Sequence, residues 1–401
     1  MADWRGEALR FAAAVERRAR LGINRAERVL DPGAYVASGY RGYGTREKVL
    51  VLGRVLQGDE AHPRLTGPAR LRNLTAALDR IESDPLPHAR VRVSVGGATE
   101  ADAREIVADD EGFFREWVGA RDPLPEGGWQ PVHLSLADPR SHAIAQPSIA
   151  QCLIPPPGAA FGVISDMDDT VLQSSVANFL RAARLVLLEN AQTRMPFPGV
   201  AAFYRALQGG TALTGPNPIF YVSKSPWNLY DVITQFLERQ EIPMGPILLR
   251  DWDLVPERAT KDFKTREIES IFQTYPALPF ILIGDTTQKD PEIYRAVMRA
   301  FPGRVRAVYI RNVDAPAARS TAVKKLAEEA AAEGATLILA DDTLAMARHA
   351  AEQGWIDPSA IALVTGDKLA DEGATGGKTE APGAPAKEDV TAPTIVIEGD
   401  S

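Results

Sequence analysis

The chain has 401 residues, of which 45% are hydrophobic, and this length and composition indicate a globular protein of two or three folded units. Its formal net charge of -8 at pH 7 argues against non-specific nucleic-acid binding, because no net positive field is available to displace counterions from phosphates. The single cysteine, Cys152, excludes a disulfide within the chain and a cysteine-based zinc site.

Residues 1–30 predict an amphipathic helix with basic flanks. Its apolar positions recur at helical spacing: Trp4, Ala8, Phe11, Val15 and Ala19. Such a helix can dock on its own domain or lie on an anionic membrane surface, and docking is the commoner case. The first residues carry charges where a signal peptide needs an apolar run, which predicts a cytoplasmic protein. Peripheral contact with a membrane is the alternative that the helix leaves open.

Residues 31–150 show short β-like runs separated by Gly, Pro and Asp. The clearest runs are residues 48–56, 90–95 and 130–136, and the last two alternate between apolar and polar side chains. Because no parallel crossovers separate these runs, the pattern predicts a small β-sandwich. A helical pattern at 68–84 is predicted to be an insertion in it.

Residues 151–365 have the texture of an α/β domain. Five apolar runs predict buried strands, at residues 162–165, 218–222, 279–283, 305–310 and 336–340, and amphipathic helices alternate with them. This pattern predicts a Rossmann-like, doubly wound parallel sheet. The segments between the polar motifs are short, so little or no cap domain is expected. From 366 to 401 the composition predicts a disordered tail.

The first polar motif directly follows the run at 162–165 and contains Asp166, Asp168 and Thr170. Its position predicts that these side chains project from the carboxyl end of a strand, where open α/β sheets bind ligands. Asp166 is the candidate nucleophile. Asp168 is the candidate general acid, which afterwards activates water. The alternative is an acidic loop that caps the next helix.

Two further motif residues are candidates for holding a phosphoryl group. Ser223 ends an apolar run, and its hydroxyl can contact a phosphoryl oxygen or cap the following helix. Lys264 can supply the fixed cation that an acidic chain needs, but Lys261 and Arg266 are equally well placed by sequence alone. Thr170, Ser223 and Lys264 are therefore the candidate substrate contacts.

A last motif places Asp285 and Asp290 after the apolar run at 279–283. Oxygen ligands without Cys or His indicate Mg²⁺ rather than Zn²⁺. The predicted metal ligands are Asp166, the backbone carbonyl of Asp168, Asp285 and Asp290.

These motifs, in this order, resemble those of the haloacid dehalogenase superfamily, and D-x-D-x-T resembles its phosphatase branch. Four segments are similar to the family of the actin-patch-associated phosphatidate phosphatase: residues 165–170, 220–230, 248–252 and 282–294. The resemblance runs from about Tyr35 to Trp355, and it implies Mg²⁺-dependent conversion of phosphatidate to diacylglycerol. One departure is Phe263-Lys264, where relatives commonly have His-Lys.

Three hypotheses about function follow. The first is a phosphatidate phosphatase, and Trp227 and Tyr230 are then candidates for contact with lipid. The second is a phosphatase for a soluble or protein phosphomonoester. The third is a non-catalytic binding protein that works through the β-sandwich, and the complete set of motif residues argues against it.

Overall fold

The protein is described from a computed structural model, whose described residues are 35–57, 85–99, 102–137, 147–167, 170–171, 197–211, 215–250, 263–313, 317–376 and 395–397. The predicted helices at 1–30 and 68–84 lie outside these residues. The chain divides into two units. The first contains residues 1–40, 47–123 and 131–151, and the second contains residues 41–46, 124–130 and 152–401.

The first unit is built on antiparallel strands. Its strands, including two that continue into the second unit, are β1 (Tyr35–Gly39), β3 (Lys48–Gln57), β4 (Arg90–Ser94), β5 (Arg104–Val107), β6 (Phe113–Gly119), β7 (Gly128–Leu136) and β8 (Ser148–Ile154). Strand β3 pairs with β1 and β6, and β4 pairs with β5 and β7. In β4 the valines are buried and the arginines exposed, as the alternating sequence predicts. The β-sandwich itself stays a prediction.

Two short segments that precede residue 150 belong to the second unit. Residues 42–44 form β2 (Gly42–Gly44), which pairs in parallel with Cys152 and Leu153. The Tyr43 ring lies edge-on to Phe220 at 5.6 Å, and the Tyr275 hydroxyl donates a hydrogen bond to the Gly44 carbonyl at 3.1 Å. The residues in these contacts lie far apart in the sequence. A domain boundary predicted at residue 150 therefore does not assign residues 42–44 to the second unit.

The second unit contains the parallel sheet that the sequence predicts. Its strands are β9 (Gly162–Ser165), β10 (Ile219–Pro226), β11 (Ile247–Arg250), β12 (Phe280–Asp285), β13 (Val305–Arg311), β14 (Leu337–Ala340) and β15 (Ile395–Ile397). Their order is β11-β10-β9-β12-β13-β14-β15, and every pairing is parallel except that of β14 with β15. The five predicted strands are confirmed, and the α/β character with them.

The order of these strands determines where a ligand can bind. From β9 the chain moves outward to β10 and β11, then returns to the other side of β9 as β12. Connections therefore leave β9 and β12 in opposite directions. In open α/β sheets this switch point leaves a crevice beyond the carboxyl ends of the two strands. Asp166 directly follows β9, and Asp285 ends β12.

Seven α-helices occur among the described residues: α1 (Val200–Gly209), α2 (Tyr230–Arg239), α3 (Phe263–Thr274), α4 (Asp290–Ala300), α5 (Ala317–Ala332), α6 (Thr343–Glu352) and α7 (Ala360–Gly376). A 3-10 helix, Trp227–Leu229, precedes α2. None of the described helices is long and apolar enough to cross a membrane.

Helix α7 corrects the prediction of a disordered tail that starts at 366. It continues to Gly376, and β15 pairs with β14 further along the chain. The Asp367 and Asp371 carboxylates accept hydrogen bonds from the backbone amides of Ala202 and Gly199, at 2.9 and 3.0 Å. These amides lie at the N-terminal end of α1, where anionic groups are favourable. Composition alone does not reveal such distant partners.

Candidate active site

Asp166 lies at the switch point of the parallel sheet. Its backbone amide donates to the Ile283 carbonyl at 2.9 Å, which extends the pairing of β9 with β12 by one residue. The residue is 1% exposed. A buried carboxylate is costly unless charged or polar groups compensate it. The groups around Asp166 therefore decide whether it can carry a charge.

Lys264, the second residue of α3, is the main compensating group. Its Nζ lies 2.9 Å from Asp166 Oδ1 and 2.6 Å from Asp290 Oδ1, and the residue is 1% exposed. Burial lowers the pKa of Lys264, but Asp166 and Asp290 raise it by more, so the net shift is upward. The lysine is thus charged and contacts both carboxylates. Of the sequence alternatives, Arg266 is exposed, and Lys261 lies outside the described residues.

Three carboxylates converge beside this lysine. One oxygen each from Asp166, Asp285 and Asp290 lies within 4.8 Å of the others, and all three residues are buried. Burial, and then the charge of Asp290, raise the pKa of Asp285. Asp290 Oδ2 is buried and has no hydrogen-bond partner among the described residues. Oxygen donors of this kind, with excess negative charge, fit a hard divalent cation such as Mg²⁺.

A glycine makes this convergence possible. A Cβ atom added to Gly284 would lie 2.7 Å from the Asp290 Cβ and 2.8 Å from its Oδ2. Any larger residue would therefore displace the Asp290 carboxylate from the cluster. Gly284, the residue before Asp285 in β12, is therefore required for this close approach.

The loop after β12 contributes a residue that the sequence analysis missed. Gln288 Nε2 donates to Asp166 Oδ2 at 3.1 Å, and Gln288 Oε1 accepts from Lys264 Nζ at 3.3 Å. The backbone amides of Thr287 and Gln288 donate to Asp285 Oδ1 at 2.5 and 3.1 Å. This loop therefore orients two carboxylates at once. Its polar residues between Asp285 and Asp290 were the available signal.

Arg319, on α5, holds the same loop through hydrogen bonds to its backbone. Its Nε donates to the Thr286 carbonyl at 2.9 Å, and its Nη2 donates to the Gln288 carbonyl. Glu292 holds the guanidinium through its two carboxylate oxygens. No motif connects Arg319 with the loop in the sequence, because the contact spans about thirty residues.

Two predicted substrate contacts are buried near these carboxylates. Thr170 donates to Asp285 Oδ2 at 3.4 Å. Ser223 Oγ accepts a hydrogen bond from the Ser225 amide at 2.9 Å, and Ser223 is 0% exposed. The predicted alternative, a helix cap, does not apply to Ser223, because the 3-10 helix begins after Pro226. Asp168 lies outside the described residues, so its role stays a prediction.

The two aromatic candidates for lipid contact are packed instead. Trp227 is 6% exposed and Tyr230 is 5% exposed. The Tyr230 hydroxyl accepts a hydrogen bond from the Arg41 amide at 2.7 Å. Neither ring offers an exposed apolar surface for lipid, so both rings are packed within the fold.

A buried carboxylate beside a fixed cation and a group of metal-type ligands defines a site suited to phosphoryl-transfer chemistry. Residues 161–312, which include Asp166, Lys264, Asp285 and Asp290, match the family model for the catalytic domain of phosphatidate phosphatase APP1. The match supports a phosphoric monoester hydrolase. It is shorter than the resemblance from Tyr35 to Trp355.

Two yeast relatives each match part of the chain. Phosphatidate phosphatase APP1 of Saccharomyces cerevisiae is 30% identical over 157 residues, which are 37% of this chain and 25% of that protein. An uncharacterized protein of Schizosaccharomyces pombe is 27% identical over 155 residues, 38% of this chain and 25% of that protein. The chain thus spans about a quarter of the length of these curated relatives.

Among solved structures, ferredoxin-NADP+ reductase from Plasmodium falciparum overlaps with 69% of this chain and 95% of its own. The two are 8% identical, with a TM-score of 0.19. A score this low carries no argument about fold or function.

Proposed function

We propose that the chain is a Mg²⁺-dependent phosphatidate phosphatase of the haloacid dehalogenase type, which releases diacylglycerol and inorganic phosphate. The observation that carries the proposal is the contact of Asp166 with Lys264 within a cluster of three buried carboxylates. The catalytic-domain match over residues 161–312 supports phosphatidate as the substrate.

The first half-reaction begins with Asp166. An oxygen of its carboxylate attacks phosphorus, and the bond from phosphorus to the leaving oxygen breaks. Asp168 donates its proton to that oxygen as it leaves with the electron pair. Lys264, charged and buried beside Asp166, orients the nucleophile and neutralises negative charge on the phosphoryl oxygens, and Ser223 donates a hydrogen bond to them.

The second half-reaction restores the enzyme. The Asp168 carboxylate takes a proton from water, whose oxygen attacks the phosphorus of the aspartyl phosphate. The bond between phosphorus and Asp166 breaks, and Asp166 recovers its carboxylate. Gln288, which donates to Asp166 Oδ2, keeps the carboxylate in the same orientation through both steps.

The metal would be held by Asp166, Asp285, Asp290 and the backbone carbonyl of Asp168. When bound, Mg²⁺ supplies positive charge next to the phosphoryl oxygens and lowers the repulsion between substrate and nucleophile. The Asp290 oxygen that has no described hydrogen-bond partner, and the upward pKa shift of Asp285, both support this assignment.

Mg²⁺ binding can be measured without substrate. At a concentration about 100 times its Kd, Mg²⁺ should raise the free energy of unfolding by about 2.7 kcal/mol. Asp285→Asn should abolish this increase, because it removes a charged ligand. The expected readout is thermal unfolding with and without Mg²⁺. Asp122→Asn, an exposed change in the first unit, is the matched control and should respond like the wild type.

The metal-free protein gives the sign of the pH dependence. The folded-state pKa of Asp285 lies above 3.8, so this carboxyl stabilises the fold at low pH and the contribution is lost as pH rises through the raised pKa. At neutral pH, metal-free Asp285→Asn should therefore be at least as stable as the wild type. A clear loss of stability would contradict the picture of mutually repelling carboxylates.

The contacts of Arg319 with the loop after β12 predict an effect on turnover. Arg319→Met should lower kcat by about 10- to 100-fold, because Gln288 and the Asp285 carboxylate lose their fixed position. Arg299→Met, a change of an exposed arginine on α4, is the control and should retain full kcat. If the two variants had equal kcat, the loop would not depend on Arg319.

The substrate is tested by Mg²⁺-dependent phosphate release from phosphatidate in mixed micelles beside a panel of soluble phosphomonoesters. We expect a higher kcat/KM for phosphatidate. A soluble compound with a higher kcat/KM would overturn the lipid assignment. It would favour a phosphatase for a soluble or protein phosphomonoester.

A further inference from the structure

Two cations near the carboxyl ends of β10 and β11 have no role in the mechanism above. Lys224 directly follows Ser223 in β10, and Arg250 ends the neighbouring strand β11. Both side chains are half-buried. Arg250 Nε is buried and has no hydrogen-bond partner among the described residues. A partly desolvated guanidinium nitrogen of this kind is costly unless an anion or a polar group satisfies it.

A bulge brings these cations to the carboxyl edge of the sheet. Val222 pairs with Leu248, and Pro226 pairs with Arg250, so three residues of β10 stand opposite one residue of β11. The hydrogen bond from the Ser225 amide to Ser223 Oγ fixes the bulge. Bulges commonly re-aim side chains beside active sites.

Lys224 interacts electrostatically with the charged groups of the site. Burial and then Lys264 lower the pKa of Lys224, while Asp290 and Asp166 raise it and Arg250 lowers it further. Lys224 therefore lies within electrostatic range of the carboxylate cluster on one side and of Arg250 on the other.

The charge balance of the site shows why further cations are needed to bind a phosphate. Among the described residues, three carboxylates and one lysine leave two negative charges at the site. A divalent cation would cancel them, and the site would then be neutral. A phosphate monoester dianion still needs positive charge to replace its hydration, and Lys224 with Arg250 supplies two charges.

We propose that Lys224 and Arg250 form an anion-binding pair that contacts the phosphoryl oxygens of the substrate and of the released phosphate. This inference rests on the proposed function and deepens it. Lys264 orients Asp166 from one side of the cluster, and the pair binds the phosphoryl group from β10 and β11. The pair contacts only the phosphoryl group, so it binds lipid and soluble phosphomonoesters equally.

The test measures binding of inorganic phosphate to the full-length, Mg²⁺-loaded protein by calorimetry. Lys224→Met and Arg250→Met should each weaken phosphate binding by about 10- to 100-fold, the effect of losing one hydrogen bond to a charged group. Lys224→Arg and Arg250→Lys keep the charge and should weaken phosphate binding less than the corresponding methionine variants. Lys325→Met removes an exposed lysine on α5 and is the matched control.

Kinetics give a second readout. In Lys224→Met the KM for phosphatidate and for a soluble phosphomonoester should rise by the same factor as the phosphate Kd. A rise in KM for phosphatidate alone would overturn the proposal, because the pair would then contact another part of the lipid. Since Lys224 is partly exposed, its variants test the proposal even if Arg250→Met fails to fold.

The outcomes separate this inference from the proposed function. Unchanged phosphate affinity in both methionine variants, with full phosphatidate hydrolysis, would overturn the anion-binding pair alone. Weakened phosphate binding in a protein that hydrolyses no phosphomonoester would support the pair and overturn the proposed function.

Discussion

Asp166→Asn should lower kcat by at least about 10⁴-fold, because an amide cannot form the aspartyl phosphate. Asparagine has the shape of aspartate and can accept a hydrogen bond from Lys264 or donate one to Gln288 Oε1. It also removes one of three mutually repelling carboxylates. We therefore expect the free energy of unfolding of the metal-free variant to stay within about 1–2 kcal/mol of the wild type. Stopped phosphate-release assays and chemical denaturation measure the two quantities.

Two further variants serve as controls for Asp166→Asn. Asp166→Ala should be equally inactive, and it cannot revert to aspartate by deamidation. Asp122→Asn should keep the activity of the wild type, because Asp122 is exposed in the first unit. Activity near the wild-type level in either Asp166 variant would contradict the assignment of the nucleophile.

Lys264→Met should have the largest effect on stability. The lysine is 1% exposed and contacts Asp166 and Asp290 directly. Its removal leaves two buried carboxylates without their cation, which typically costs about 3–5 kcal/mol.

Mg²⁺ should partly compensate this loss. Because the proposed Mg²⁺ ligands include the same carboxylates, the destabilisation by Lys264→Met should be smaller with saturating Mg²⁺ than with a chelator. Turnover should remain low in both conditions, because the phosphoryl oxygens lose a fixed cation. Lys325→Met is the control and should match the wild type. If the stability of Lys264→Met equalled that of the control in chelator, the buried ion pair would have no structural role.

The sequence predicted the parts of the site that follow local patterns. Apolar runs identified the strands, and parallel strands bring their carboxyl ends to one edge of a sheet. Asp166, Ser223 and Asp285 were therefore recognisable as neighbours before the structure was known. Lys264 was one of three equal candidates, and only burial beside Asp166 distinguishes it.

Other features depend on contacts that no local pattern encodes. Arg319 reaches the loop at Gln288 from another helix, and the bulge of β10 changes its register with the strand that ends in Arg250. Helix α7 continues beyond 366 because its aspartates bind amides of α1. In each case the stabilising partner is distant in the chain, and the composition of the segment gives no sign of it.

The central claim, that Asp166 carries the phosphoryl group during turnover, is tested most directly by acid quenching. The full-length protein is mixed with Mg²⁺ and a phosphomonoester substrate, quenched in acid within one turnover, digested and analysed by mass spectrometry. We predict one phosphoryl group on the peptide that contains Asp166, and none when Mg²⁺ is omitted or Asp166→Asn is used. Phosphate release at the full rate with no phosphoryl group on that peptide, or with the group on another residue, would contradict the account.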